Sequence, residues 1–168
     1  MGGGGIVIEC FRKEVPTRKY ALKSPRLSVL NTDATQKALN REENERAAKL
    51  SHENVVLLIS SANISVDAGS PIWAQLMEWV DGAEDLATFI YKNGETPSHL
   101  ISLFCGALSG LEYIHSQGLI HWDIKTANCL VSKHGVVKIA DIGNARDEMG
   151  LDKKNEKDEI AYRECPSN

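Results

Sequence analysis

The chain predicts an α+β fold of two lobes, a small β-rich first part followed by a mainly helical second part. Three observations carry this. Short strand-like runs bounded by Gly, Pro and Ser dominate residues 6–77. One strongly periodic helix pattern follows at 98–117. A second, short hairpin pattern then stands between polar loops at 121–143.

Gly2-Gly3-Gly4-Gly5 reads as a flexible loop entering a strand at Ile6-Val7-Ile8. Pro16 marks a turn, and 18–23 (RKYALK) reads as the second strand of a hairpin. Residues 32–50 lack Gly and Pro and are rich in Ala, Glu, Lys and Arg, which predicts a helix with Leu39, Ala47 and Leu50 as its apolar stripe. Strands are expected at 55–59 and 72–77, separated by a polar loop, and a short helix at 84–92. In the long helix Leu100, Leu103, Phe104, Ala107, Leu108, Leu111 and Ile114 recur at three- and four-residue steps. Ser98 is placed to cap its start and Gly118 to end it. Finally, 129–131 and 136–139 pair around His134-Gly135, and the sequence from Arg146 onward is strongly polar.

The 168 residues are 42% apolar and 25% charged, which fits a chain that buries a core and argues against wholesale disorder. A net charge of −4 argues against a nucleic-acid or anionic-membrane binder. The charge is uneven: residues 1–50 carry +4, 51–140 carry −5 and 141–168 carry −3. That division is either chance or suits an anionic ligand held from the basic side. Cys10, Cys105, Cys129 and Cys165 lie far apart and signal neither zinc nor a disulfide framework. The apolar run 55–59 is far short of the ~20 residues a membrane span needs. Ile6 stands where a myristoylation signal wants Ser or Thr. A cytoplasmic protein without membrane or nucleic-acid partners is expected.

The chemistry concentrates in His121-Trp122-Asp123-Ile124-Lys125-Thr126-Ala127-Asn128, with Asp141-Ile142-Gly143 after the second hairpin. Two carboxylates, an amide and an ammonium thus lie at loop ends around a two-stranded turn. Carboxylate and amide oxygens suit a hard cation such as Mg²⁺. A carboxylate not spent on the metal can orient and deprotonate a hydroxyl.

This set resembles the H-R-D-L-x-x-x-N and D-F-G loops of the eukaryotic protein kinases. The resemblance extends backwards through Tyr20-Ala21-Leu22-Lys23, like the V-A-I-K strand, and through Glu43, whose spacing to Leu50, His52 and Asn54 matches the family's helical glutamate. Leu76-Met77-Glu78-Trp79-Val80 is similar to the gatekeeper and hinge, and 113–120 to the helix end before the catalytic loop. The match runs from about residue 2 to about 166. The resemblance implies a two-lobed kinase-like fold: a β-rich N-lobe at 1–77 lacking its first strand, a hinge at 78–80, and a partial C-lobe at 81–168 truncated after the activation segment.

It also implies roles. Lys23, held by Glu43, would reach the ATP phosphates. Asp123 would orient the substrate hydroxyl and accept its proton, Lys125 would stabilise the transferring phosphoryl group, and Asn128 and Asp141 would hold Mg²⁺. Gly2, Gly5, Val7, Ala21, Glu78, Val80, Glu84 and Leu130 would surround the nucleotide, with the hinge backbone at Glu78 and Val80 bonding adenine. Lys125, two residues after the aspartate, resembles the serine/threonine branch, so the implied substrate is a protein Ser or Thr. Each residue also has an ordinary role open to it: Asp123, Asn128 and Asp141 as loop caps or turn residues, Glu43 as one of a charged helix face, Met77 and Trp79 as core. His121 reads as a packed, hydrogen-bonded histidine rather than a base.

Four departures stand out. Trp122 replaces the Arg that pairs with an activation-segment phosphate, and residues 133–166 contain no Ser or Thr, with Tyr162 their one side-chain hydroxyl. This tryptophan reads equally as selected or as a one-base lesion. The glycine loop lacks its first glycine, Ile142 replaces the Phe of D-F-G, and 158–166 only loosely matches the family's substrate loop. The later C-lobe helices would lie beyond Asn168, so the helix at 98–117 is expected to expose an apolar stripe that aggregates or meets a partner. The retained set points to MgATP-dependent phosphoryl transfer, with little activity expected of the isolated chain. The departures point instead to a pseudokinase-like nucleotide-binding or scaffold module.

Overall fold

A computed structural model describes residues 6–24, 47–64 and 72–142, together with the backbone of 146–147. Strand β1 (Ile6–Arg12) and strand β2 (Val15–Ser24) form an antiparallel hairpin whose register places Val7 opposite Lys23. Strands β3 (Leu58–Ile64) and β4 (Ile72–Glu78) complete a four-stranded sheet of order β1-β2-β4-β3. Tyr20 and Ala21 are buried where β2 runs beside β4, whereas the apolar side chains of β1, an edge strand, are about half exposed.

The expected strand at 55–59 is displaced along the chain. Val55 makes a lone parallel bridge to Ile139, and the Val56 N–H donates to the Ile139 carbonyl at 2.8 Å, so this segment spends its backbone on the second hairpin. Pairing with β4 begins only at Leu58 and continues to Ile64. Residues 32–46 of the expected 32–50 helix, Leu39 among them, lie outside the described residues, and Ala47 and Leu50 at its end are buried.

A linker after Glu78 leads to strand β5 (Glu84–Asp85) and helix α1 (Leu86–Asn93), so the first two residues of the expected 84–92 helix are extended instead. The Asp85 carboxylate accepts the Thr88 N–H at 3.0 Å and starts the helix, and Gly94 at φ 58° ends it. Helix α2 spans Pro97–Ser116. Its cap is Thr96, which accepts the His99 N–H at 3.3 Å, and not Ser98. Pro97 occupies the first helical position, where its missing N–H is harmless and its fixed φ suits the turn. Gly118, at φ 71°, turns the chain into strand β6 (Leu119–Ile120), which pairs with β9 (Arg146–Asp147). Between them strands β7 (Cys129–Val131) and β8 (Val137–Ile139) form the second hairpin, and β5 joins its β7 edge.

Two apolar clusters hold these parts. One joins Ala47, Leu50, Val55 and Leu58 to Ile114, Leu119, Ile139 and Ile142, and so ties the first sheet's loop to α2 and the second hairpin. The other fastens α1 and α2 to that hairpin through Leu86, Leu103, Cys129, Val131 and Val137. On the far side of α2, Ile101, Phe104 and Leu108 are 64%, 50% and 63% exposed; of the periodic positions Phe104 and Leu108 lie there, whereas Leu103 and Ile114 are buried in the core. The resulting architecture is the α+β arrangement expected, with a sheet first and helices around a small hairpin after it.

Candidate active site

The helix α2, strand β6 and the second hairpin deliver the loop at 121–128 to one place. His121 is 1% exposed. Its Nε2 faces the Ala140 carbonyl at 2.9 Å and its Nδ1 faces the Asp123 N–H at 3.3 Å. A carbonyl only accepts and an N–H only donates, so here Nε2 donates to Ala140 and Nδ1 accepts from Asp123. One imidazole therefore fixes the backbone of Asp123 and the residue before Asp141. The structural reading of His121 holds. Trp122 and Asp141 both adopt left-handed φ, 65° and 66°, a conformation costing about 1–3 kcal/mol outside glycine and sustained by the surrounding contacts.

Asp123 faces outward from this anchor. Its Oδ2 accepts from Lys125 Nζ at 2.5 Å and from Asn128 Nδ2 at 3.1 Å, and its carbonyl accepts from Asn128 Nδ2 at 2.7 Å. A 3-10 turn at Thr126–Asn128 brings Asn128 back onto Asp123. The Lys125 hydrogen bond, then that of Asn128, holds the Asp123 carboxyl below the usual aspartate range. Asp123 is thus ionised at neutral pH and serves first as a fixed acceptor. In Lys125→Met its pKa is expected to rise toward the ordinary ~3.9, because the lowering partner is gone; carboxyl-carbon NMR titration of the two proteins checks this.

From the first sheet, Lys23 reaches across to form an ion pair with Asp141 Oδ1, joining residues 118 apart in sequence. Both side chains are largely buried, 21% and 29% exposed. Asp141 also borders a small space with Met77, Val56 and Leu58, and Ile142 sits in the core beside Ala47 and Leu50. Asp123, Lys125, Asn128, Lys23 and Asp141 are therefore gathered into two ion-paired sets, linked through His121 and Ala140.

The expected nucleotide contacts divide. Ala21 is buried opposite Met77, Val7 is exposed opposite Lys23, and Leu130 is half-buried in β7 opposite Lys138. The Glu78 N–H donates to the Leu57 carbonyl at 2.9 Å, and its carboxylate takes the Leu57 N–H and Lys138 Nζ. The Val80 carbonyl accepts from Ala83 at 3.2 Å. Glu84 is paired with Lys92 at 2.6 Å. Gly2, Gly5 and Glu43 lie outside the described residues.

As to a metal, Asn128 spends its Nδ2 on Asp123, which leaves its amide oxygen for another donor or cation. That oxygen and the Asp141 carboxylate are hard ligands and fit Mg²⁺, which keeps waters and phosphate oxygens in its remaining positions. Consistent with so sparse a protein ligand set, no cluster of three or more His, Cys, Asp or Glu occurs among the described residues.

Sequence reasoning used Asn54 only as a spacing mark and gave it no structural role. Its Nδ2 donates to the Val137 carbonyl at 2.8 Å and its carbonyl accepts the Ile139 N–H at 2.8 Å, while it lies against Gly106 and Gly110 of α2. The signal was present: two glycines four apart on one helix face make a groove for close approach. Tyr113 adds a second tie, stacking on His52 and accepting the Ser51 N–H at 3.0 Å.

Comparison with known proteins gives a consistent result. The family model for the protein kinase domain matches residues 1–162. The serine/threonine-protein kinase mos of Gallus gallus is 30% identical over 168 aligned residues, covering 89% of this chain and 46% of that protein. PknB of Mycobacterium leprae, also a serine/threonine-protein kinase, is 35% identical over 107 residues, 63% of this chain and 17% of its own length. The probable serine/threonine-protein kinase SCO3848 of Streptomyces coelicolor is 33% identical over 130 residues, 77% and 19% respectively. The chain spans less than half the length of each of these relatives. Among the described residues, no helix is long and apolar enough to cross a membrane.

Proposed function

Since the chain belongs to the protein kinase family, we propose that it transfers phosphoryl groups from ATP to serine and threonine hydroxyls of proteins, with Mg²⁺ as the metal. The observation that carries this reading is the convergence of Lys23 and Asp141 with Asp123, Lys125 and Asn128. Asp123 orients the acceptor hydroxyl and takes its proton. Lys125, already on the Asp123 carboxylate, supplies the positive charge nearest the hydroxyl and offsets charge that develops on the phosphoryl oxygens. Lys23, paired here with Asp141, would reach the ATP phosphates, and Asp141 and Asn128 would hold the cation. MgATP, when bound, would supply the γ-phosphoryl group: its bond to the bridging oxygen breaks as the bond to the acceptor oxygen forms, ADP leaves, and the cation offsets the phosphate charge. Positioning and electrostatics, rather than covalent catalysis, make the rate.

The finer reading places Glu78 and Val80 on adenine, Glu84 near ribose, Gly2, Gly5, Val7, Ala21 and Leu130 around the nucleotide, and Glu43 behind Lys23. The lobes divide at 77 and 81, the compartment is the cytoplasm, and the apolar face of α2 at Ile101, Phe104 and Leu108 is a partner surface. Trp122 favours a second reading, a nucleotide-binding module without turnover, because its indole offers no cationic fork to a phosphorylated activation segment.

Lys23→Met separates the two. For a kinase it lowers kcat/KM for ATP about 100-fold, as loss of a positioned charge should, and it weakens the MgATP-dependent rise in melting temperature. A MgATP-dependent rise in the unsubstituted chain, without phosphate transfer to any protein substrate, selects the binding module. Turnover unchanged by Lys23→Met contradicts the assignment of that lysine.

A further inference from the structure

We infer that β1 is a self-association edge, pairing antiparallel with β1 of a second copy of this chain around a two-fold axis at Glu9. In the four-stranded sheet β1 is an outer strand, and among the described residues no strand lies beyond it. Ile6, Val7, Ile8 and Phe11 are each about half exposed, and Cys10 is partly so. Side chains alternate along a strand, so Ile6, Ile8 and Cys10 lie on one face and Val7, Glu9 and Phe11 on the other. Both faces are therefore apolar at this edge. A helix or loop packed on the sheet would cover one face only, whereas an added strand shields part of each. The opposite edge differs: β3 carries Ser60, Ser61 and Asn63, the polar protection usual for an open edge.

The pattern of β1 selects its own copy. Centred on Glu9, antiparallel pairing sets Val7 opposite Phe11 and Ile8 opposite Cys10, each pair occurring twice. Centred on Ile8 it would set Glu9 against Val7, and centred on Cys10 against Phe11. Each of those registers would desolvate a carboxylate beside an apolar side chain. In the Glu9 register the two carboxylates meet, and like charges opposite each other repel. Each, however, already accepts from Lys19 Nζ of β2 at 3.1 Å, so the row across four strands is lysine, glutamate, glutamate, lysine, with no net charge. The irregularity between Phe11 and Arg12 ends the regular ladder there. A closed pair follows rather than a filament, because β1 meets β1 and not the β3 edge. So short a ladder buries little surface, and a weak dimer at roughly micromolar concentration is expected.

The pairing does not depend on phosphoryl transfer, so association of the full chain tests it directly. Sedimentation velocity across the micromolar range is expected to show monomers and dimers in equilibrium. Ile8→Lys should weaken the dimer about tenfold, since it disrupts two cross-strand pairs. Adding Cys10→Glu to that variant sets a carboxylate opposite each introduced ammonium. The double variant should return to within about threefold of the parent affinity. Ile8 is half exposed, so the single variant should fold, with circular dichroism as the check. Leu108→Lys makes the same charge change on the apolar face of α2 and should leave the dimer intact. Four results would overturn the inference: a monomer at every concentration, species larger than the dimer, equal weakening by Leu108→Lys, or no rescue by Cys10→Glu.

Discussion

Replacing Asp123 by Asn is expected to lower kcat by about 10²–10⁴, the usual contribution of a positioned acid–base group. The substitution preserves shape. An amide oxygen can still accept from Lys125 Nζ and Asn128 Nδ2, and the His121 bond to the Asp123 backbone N–H does not involve the side chain. The charge and the proton acceptor are lost. Because Asp123 is exposed enough to meet substrate, at 38% of its side chain, stability should change little. Steady-state kinetics with thermal denaturation in parallel checks both halves. A KM for ATP within about threefold of the parent would place the loss in chemistry rather than in nucleotide binding.

The largest effect on folding is expected from Gly110→Ala. A Cβ at this position would lie 2.4 Å from the Asn54 carbonyl oxygen and 3.1 Å from its carbonyl carbon. Asn54 cannot retreat cheaply. Its carbonyl accepts from Ile139, its side chain donates to Val137, and its own N–H donates to His52 Nδ1 at 3.1 Å. Overpacking of this kind costs ~1–3 kcal/mol and sometimes more, partly offset by the ~1 kcal/mol that alanine gains over glycine in a helix. A net loss of up to about 2 kcal/mol should lower the melting temperature by up to about 4–8 °C. Gly106→Ala is the control. There the new Cβ would meet Asn54 Nδ2 at 3.2 Å, which calls for a shift of only a few tenths of an ångström, and helix propensity should balance the contact. Equal stability of Gly110→Ala and the parent would mean that Asn54 does not seat on α2.

These two positions also mark what the sequence could and could not disclose. Asp123, Lys125, Asn128 and Asp141 were legible because they lie in short loops whose spacing around a small hairpin is fixed by local chain geometry. The α2 stripe was legible for the same reason, since its period is local. Lys23 meeting Asp141 is a tertiary contact between β2 and the loop after β8, 118 residues apart, which no local pattern announces; the resemblance implied Glu43 as the partner of Lys23. The strand at 55–59 misled because an apolar run reports burial and not a hydrogen-bond partner; Val55 and Val56 are buried against the second hairpin, and pairing starts later. Ser98 looked like a cap by type, but Thr96 precedes Pro97, and a proline at the first helical position sets the boundary.

The central claim is that Lys23, Asp123, Lys125, Asn128 and Asp141 form one phosphoryl-transfer site. Mass spectrometry of a serine- and threonine-rich protein incubated with the chain, ATP and Mg²⁺ tests it most directly. The account predicts phosphoserine or phosphothreonine in low yield with the parent chain, loss of the product when the metal is chelated, and none with Asp123→Asn. Phosphorylation that persists undiminished in Asp123→Asn, or that proceeds without a divalent cation, would contradict it.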